Sequence, residues 1–181
     1  MADPVPATAY SSLRSGTDYQ TPSALVIGTT PVPSSASSSG DQGYWYVIVD
    51  LSSLEVVANA FSNDNSAVPS EIQPYQGKPG YFLFFIANAM GAYNIPQGDL
   101  HTFLTATGAG AGLENAEQVI GQLGTGTVAL FTYVLAGTTD TGDLPGFEAF
   151  STHAPSILPM QFVPFESNGQ TTYAPSRQTT A

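Results

Sequence analysis

The chain has 181 residues, and only 9% of them carry a charged side chain, against about 25% in average soluble proteins. Fourteen acidic and three basic residues give a formal net charge of −11. Three scattered cations cannot make the positive surface that phosphates require, so the composition argues against nucleic acid and anionic membranes as partners. There is no cysteine, which excludes disulfides and thiolate chemistry.

Residues 1–43 are rich in Ser, Thr, Pro and Ala, and we predict that they form an extended N-terminal arm. Within the arm, residues 34–40 have the composition of a flexible linker. The apolar patch Leu25, Val26 and Ile27 fits a short strand added to a sheet edge, in this chain or in a neighbour. A disordered linker is the alternative. The N-terminus lacks the basic and apolar regions of a signal peptide, and no run is long enough to span a membrane.

A compact domain is predicted over residues 44–166. Tyr44–Leu51 and Leu54–Phe61 have strand composition, and the short link between them predicts a β-hairpin. Tyr81–Asn88 is a continuous apolar run, rich in aromatics, that does not alternate. Because a strand with one wet face would alternate, we expect this one to be a central strand covered on both faces.

Two helices and a further strand follow. Asp99 is the predicted N-cap of the first helix, Leu113–Leu123 has the spacing of a second, and Thr127–Leu135 is an unbroken apolar strand. This order predicts a right-handed crossover and a parallel strand pair. We therefore expect an α/β (α+β) fold with a mixed, mostly parallel central sheet flanked by helices.

The last part of the chain is apolar but contains several prolines. Ile157–Phe165 is interrupted by Pro159 and Pro164, which suits edge strands or an extended arm. Residues 167–181 are predicted to be a polar C-terminal tail. No internal repeat is visible.

The order of these elements resembles that of a known domain. The hairpin contains Tyr-Val-Ile-Val-Asp, Asp99-Leu100 and Phe103-Leu104 follow, and the later strand reads Val-Ala-Leu-Phe-Thr-Tyr-Val-Leu-Ala-Gly. Over residues 44–137 this pattern resembles the interleukin-like EMT inducer (ILEI/PANDER-like) domain. The resemblance implies a mixed sheet with helices on its faces, in secreted cytokine-like or glycan-binding modules. It implies no binding residues, because the disulfides of animal members are missing here and the loop over residues 90–97 differs.

The sequence gives little support for a group of catalytic side chains. His101 and Asp99 stand two residues apart on a helix, where side chains diverge. His153 lies in a Pro-rich loop near Glu148, and no serine sits in a nucleophile elbow. Two histidines without cysteine argue against a transition-metal site. We predict a non-enzymatic protein with no cofactor.

Three loop segments contain residues that could bind a ligand. The glycine-rich stretch Gly108–Leu113 lacks the Lys-Ser/Thr of a phosphate-binding loop, and a helix–helix link is the better interpretation. The segments Asn63–Asn65 and Asp140–Asp143 contain oxygen ligands for calcium without EF-hand spacing, and ordinary turns are favoured there.

Apolar and aromatic side chains are the predicted contact residues. We expect Leu25, Val26, Ile27, Ile157, Leu158 and Phe162 to bind a neighbouring subunit. Tyr75 and Tyr93, in loops, are predicted to contact a ligand such as a glycan.

The low-charge arms and the missing export signal favour one function class. They predict a non-enzymatic structural subunit of a large assembly, namely a phage virion component such as a capsid decoration or tail protein. Its partners would be copies of itself or other structural proteins, and its location the virion. The alternative is a glycan- or receptor-binding module of the ILEI/PANDER-like type, displayed on a particle, secreted or held at a cell surface.

Overall fold

The computed structural model describes residues 3–13, 22–36, 42–88, 90–91, 94–123, 130–140, 145–167 and 169–177. The strands of the described part are β1 Val5–Ser11, β2 Ala24–Ile27, β3 Thr30–Val32, β4 Gly43–Asp50, β5 Val56–Ser62, β6 Tyr81–Asn88, β7 Met90–Gly91, β8 Leu130–Thr138, β9 Phe147–Ser151, β10 Ser156–Ser167 and β11 Gln170–Arg177. The helices are α1 Gly98–Ala106 and α2 Ala111–Leu123, with a short 3-10 helix at Gln73–Tyr75.

A central sheet is built around β6. Its strand order is β5-β4-β6-β8, and β7 and β9 also pair with β8. Each of these pairings is antiparallel. The predicted hairpin of β4 and β5 is confirmed, with a bulge at Val57 because Val56 pairs with Val49 and Ala58 with Ile48.

The prediction that β6 is covered on both faces is also confirmed. Leu83 and Phe85 belong to a core cluster beneath the helices, whereas Phe82, Phe84 and Ile86 belong to a second cluster on the opposite face. All five side chains are fully buried. The absence of polar alternation therefore has a direct cause, since neither face of β6 meets water.

The layer over the second face is another antiparallel sheet, the outer sheet, with strand order β11-β10-β1-β2-β3. Strands from the predicted N-terminal arm and strands from the C-terminal region therefore lie side by side in one molecule. Ala9, Leu25, Leu158 and Phe162 point inward from this sheet and pack in the second core cluster. The layers are thus helices, central sheet and outer sheet.

A serine of β1 completes the central sheet where two of its strands separate. The pairing of β6 with β8 ends at Ile86 and Val134. Beyond that point, the Ser11 hydroxyl donates to the Ala87 carbonyl (2.5 Å) and accepts from the Tyr133 N–H (3.3 Å). Because buried backbone groups need partners, this hydroxyl ties β1 to the central sheet of its own chain.

The predicted α/β class with a mostly parallel sheet is wrong. β6 and β8 are antiparallel, and the helices cover one face of the central sheet. The connection from β6 to β8 contains two helices, and Nε2 of His101 in the first lies 3.1 Å from Oε1 of Glu117 in the second. Two consecutive helices can bring the chain back to the end of the sheet that it left, so the next strand runs antiparallel to the first. A single crossover helix would have produced the parallel pair.

The helix boundaries differ slightly from those predicted. Gln97 is the N-cap residue of α1, so Asp99 lies in the first turn instead. α2 begins at Ala111, inside the glycine-rich link, and β8 begins at Leu130. Residues 127–129 of the predicted strand lie outside the described residues.

Gly137 of β8 is required where α1 packs against the sheet. A Cβ atom at this position would overlap the backbone oxygen of Thr107. Gly137→Ala is therefore expected to lower the free energy of unfolding by about 3 kcal/mol, which urea denaturation measures. Gly121 in exposed α2 has no atom within 4 Å of its Cβ position, so Gly121→Ala should raise stability by about 0.5–1 kcal/mol. Equal effects of the two substitutions would contradict this packing.

Candidate interaction surface

A group of hydrogen-bonded titratable side chains holds the start of α2 against the central sheet. Glu148 of β9 accepts hydrogen bonds from the backbone N–H groups of Gly112 (3.0 Å) and Leu113 (3.1 Å) at the start of α2. The same carboxylate accepts a 2.5 Å hydrogen bond from the Tyr133 hydroxyl. A negative charge at a helix N-terminus is favourable, and we assign this arrangement a structural role.

The two histidines form no catalytic constellation with the neighbours predicted for them. His101 contacts Glu117 (3.1 Å), and the two side chains are partly exposed, at 43% and 36%. His153 is exposed in the turn after β9, where its backbone N–H donates to the Ser151 hydroxyl. The hydrogen bonds of Glu148 go to α2 and Tyr133.

Of the two segments that contain possible calcium ligands, the one around Asp64 forms a turn that uses its carboxylate within the chain. Asp64 Oδ1 accepts hydrogen bonds from the Ser66 N–H, the Ser66 hydroxyl and the Ala67 N–H, and these bonds hold the pKa of Asp64 below its usual value. Thr141 and Asp143 lie outside the described residues. Within the described part of the chain, no group of three acidic or histidine side chains is placed to hold a metal ion.

The outward side of the outer sheet has an unusual composition. In the strand register, Tyr10 lies opposite Ile157, Thr8 lies between Pro159 and Val26, and Pro6 lies opposite Gln161. Further along β10, Val163 lies opposite Ala174. We call this surface the outer face; its residues include Pro6, Thr8, Tyr10, Ala24, Val26, Pro31, Ile157, Pro159, Gln161, Val163, Phe165, Ala174 and Ser176.

No residue of the outer face is charged, and most are apolar. An antiparallel sheet with one wet side normally alternates apolar inward and polar outward residues. β10 keeps apolar residues on both sides, with Phe162 fully buried while Ile157 and Phe165 are 56% and 45% exposed. These two residues are among the most exposed large hydrophobic side chains of the described chain. An uncharged, mainly apolar surface of this kind is typical of a protein interface.

The area is adequate for association. The five strands of the outer sheet are 7, 4, 3, 12 and 8 residues long. At about 3.3 Å per residue and about 4.8 Å between strands, they cover about 500 Å² of sheet plane. Two such faces in contact bury about 1,000 Å², the lower size of specific interfaces.

The residues predicted to bind a partner divide between the two sides of this sheet. Leu25, Leu158 and Phe162 face inward and are buried in the chain's own core. Val26 and Ile157 face outward, and Ile27 is half-buried at the edge of the core. Only the outward residues are free to meet another molecule.

The outward residues Tyr10 and Val163 were not predicted from the sequence. β1 has mostly small side chains, so its sequence does not mark the outward side. The burial of Ala7, Ala9 and Ser11 and the register with β10 show it.

Of the two tyrosines predicted to contact a ligand, the structure describes Tyr75. The Tyr75 hydroxyl donates to the Val57 carbonyl (3.2 Å), and its ring packs edge-to-face on Tyr81. This contact satisfies a carbonyl at the bulge of edge strand β5, which is a structural role. Tyr93 lies outside the described residues.

No protein-family model matches this chain, and no curated protein matches it significantly. Among the described helices, neither has the length and hydropathy needed to cross a bilayer.

Proposed function

We propose that this chain is a non-enzymatic structural subunit of a larger protein assembly and that it joins neighbouring subunits through the outer face. The observation that carries the proposal is the uncharged, apolar outward side of a five-stranded sheet. The neighbours are copies of itself or other structural proteins, and a phage particle is the assembly we favour.

The distribution of charge favours a contact through the outer face. At a net charge of −11, two copies repel one another, and a contact through most surfaces would bring carboxylates together. The outer face is free of charge, so its burial desolvates no ion. The inward side chains of the same sheet are buried in the chain's own core. We therefore propose that already folded subunits make the contact, outer face against outer face.

A charge placed on the outer face tests this function. Ile157→Lys is expected to weaken self-association by about tenfold or more, because a lysine buried in the contact must be desolvated. Analytical ultracentrifugation at high micromolar concentration measures the effect. Gln118→Lys, on the exposed side of α2, makes the same charge change and should associate like the wild type. A wild-type chain that stays monomeric, and is not incorporated into any particle, would overturn the proposal.

A second candidate is a glycan- or receptor-binding module of the ILEI/PANDER-like type. It is favoured by a groove of about 510 Å³ between α1 and the connection from β5 to β6, whose lining includes Gln73, Gln76, Asp99, Thr102 and Thr139. Amides, hydroxyls and a carboxylate are suitable partners for sugar hydroxyls. A glycan array separates the two candidates, since selective binding supports the module and the first proposal requires none.

A further inference from the structure

The groove of about 510 Å³ between α1 and the connection from β5 to β6 has an apolar floor and a polar rim. We call it the helix groove. Of its lining residues, Val68 and Phe103 are only 5% exposed and lie at the bottom, whereas Gln73, Asp99 and Thr102 are exposed around them. The volume falls within the range of about 300–1,000 Å³ that is typical of small-molecule sites. The helix groove therefore suits one small ligand with both apolar and polar sides.

Several hydrogen-bond donors of the rim are already used inside the chain. The Thr102 hydroxyl donates to the carbonyl one turn earlier in α1 (3.1 Å), and the Thr139 hydroxyl donates to the Lys78 carbonyl (2.7 Å). Since a hydroxyl has one proton and two lone pairs, each of these oxygens can still accept a hydrogen bond but has no proton left to donate. The Gln73 amide uses one N–H on a backbone carbonyl (2.9 Å) and keeps its oxygen, while Gln76 adds both kinds of group. The rim thus offers a ligand more acceptors than donors.

The charge of the helix groove is negative. Asp99 is the charged residue of its lining, and its carboxylate makes no hydrogen bond or ion pair with other described residues. Glu71, Lys78 and Asp140 lie within two residues of the lining in sequence, so three carboxylates and one ammonium stand in and beside the groove. His101, also close in sequence, is paired with a carboxylate of α2. A ligand that brings a positive charge is therefore favoured.

We propose that the helix groove binds an amino sugar whose amine is free. The ammonium group has three donors and no acceptor, which suits the Asp99 carboxylate. The sugar hydroxyls can donate to the oxygens of Thr102 and Gln73, and the CH groups of the ring can pack on Val68 and Phe103. This inference rests on the second candidate function, the binding module, and specifies its ligand. It is independent of the contact through the outer face.

Three matched ligands test the proposal. Glucosamine has the amine and the hydroxyls, glucose has the hydroxyls without the amine, and n-butylamine has an amine without hydroxyls. At about pH 6, carboxylates are ionised and both amines are protonated. We expect glucosamine to bind at least about fivefold more tightly than either of the other two, as one exposed ion pair allows. Isothermal titration calorimetry of the full chain at low salt measures the three affinities.

Two pairs of variants locate the site. Asp99→Asn removes the charge from the groove and should remove the preference for glucosamine over glucose. Glu114→Gln makes the same charge change in the first turn of α2, outside the groove, and should keep that preference. Thr102→Val removes an acceptor of the rim and should weaken glucosamine binding by about threefold, the effect of one neutral hydrogen bond. Thr105→Val removes a hydroxyl bonded in the same way on α1, outside the groove, and should bind as the wild type does.

A melting curve checks that each variant is folded, and the threonine pair carries the test if Asp99→Asn does not fold. The inference is overturned if glucose or n-butylamine binds as tightly as glucosamine, or if Asp99→Asn and Glu114→Gln lose the same affinity. A wild-type chain that binds none of the three ligands also overturns it. In either case, selective binding of a neutral glycan on the array would keep the second candidate function with another ligand. Self-association through the outer face is tested separately and does not depend on these results.

Discussion

Above pH 10 the protein is expected to lose stability steeply, at about 4 kcal/mol per pH unit. Three tyrosines in the core under the helices, Tyr44, Tyr46 and Tyr133, are almost fully inaccessible to solvent. Burial raises the pKa of each phenol well above its ordinary value of 10.0, and for Tyr133 the neighbouring Glu148 carboxylate adds to the effect.

The direction of the pH dependence follows from the ionisation of tyrosine in the unfolded chain. There each tyrosine ionises near pH 10, whereas the folded protein keeps the phenol protonated to higher pH. The stabilisation is therefore complete below pH 10 and is lost as the pH rises above it. Each tyrosine contributes about 1.4 kcal/mol per pH unit. Since typical stabilities are about 5–15 kcal/mol, the fold should be lost within a few pH units.

Tyr46→Phe is the matched variant for this prediction. The Tyr46 hydroxyl is buried and has no hydrogen-bond partner in the described part of the chain, whereas Tyr44 donates to the Asn94 carbonyl and Tyr133 to Glu148. Its removal should raise stability at pH 7 by about 1 kcal/mol and reduce the alkaline slope by a third. Urea midpoints measured from pH 8 to 11.5 give both quantities. A stability that stays constant across this range would falsify the prediction.

Phe162→Ala is expected to lower the free energy of unfolding of the isolated chain by about 3–5 kcal/mol, because it opens a cavity between the two sheets. The Phe162 ring is fully buried and lies edge-to-face on Phe82, with ring centroids 5.4 Å apart. Ile157→Ala on the same strand removes an exposed side chain and should change stability by less than about 0.5 kcal/mol. Urea denaturation at a concentration where the chain is monomeric measures both.

Comparing Phe162→Ala with Ile157→Ala tests whether the C-terminal strands pack in their own chain or in a neighbouring subunit. If β10 found its core in a neighbouring subunit, Phe162→Ala would leave the stability of the monomer unchanged and would weaken assembly instead. The structure places Phe162 in the chain's own core, so the loss should be independent of protein concentration. A loss that appears only in the assembled state would contradict that placement.

The candidate surface could be predicted only in part. The apolar patches at residues 25–27 and 157–165 are visible as composition, and they do contain Val26, Ile157 and Phe165 of the outer face. Leu25, Leu158 and Phe162 share those patches but face the core. The difference is set by strand register, because a shift of one residue turns every side chain to the other side.

The sequence by itself determined the central layer of this protein. An unbroken apolar run at Tyr81–Asn88 requires cover on both faces, and local spacing is enough to place the β4–β5 hairpin and both helices. Only the tertiary structure decided the strand directions and the outer sheet. Its pairing joins residues as distant as Ala9 and Leu158, between strands whose small or proline-interrupted side chains carry little periodic signal. Such pairing is settled by the shared burial of Leu25, Leu158 and Phe162 against β4 and β6, which no local pattern encodes.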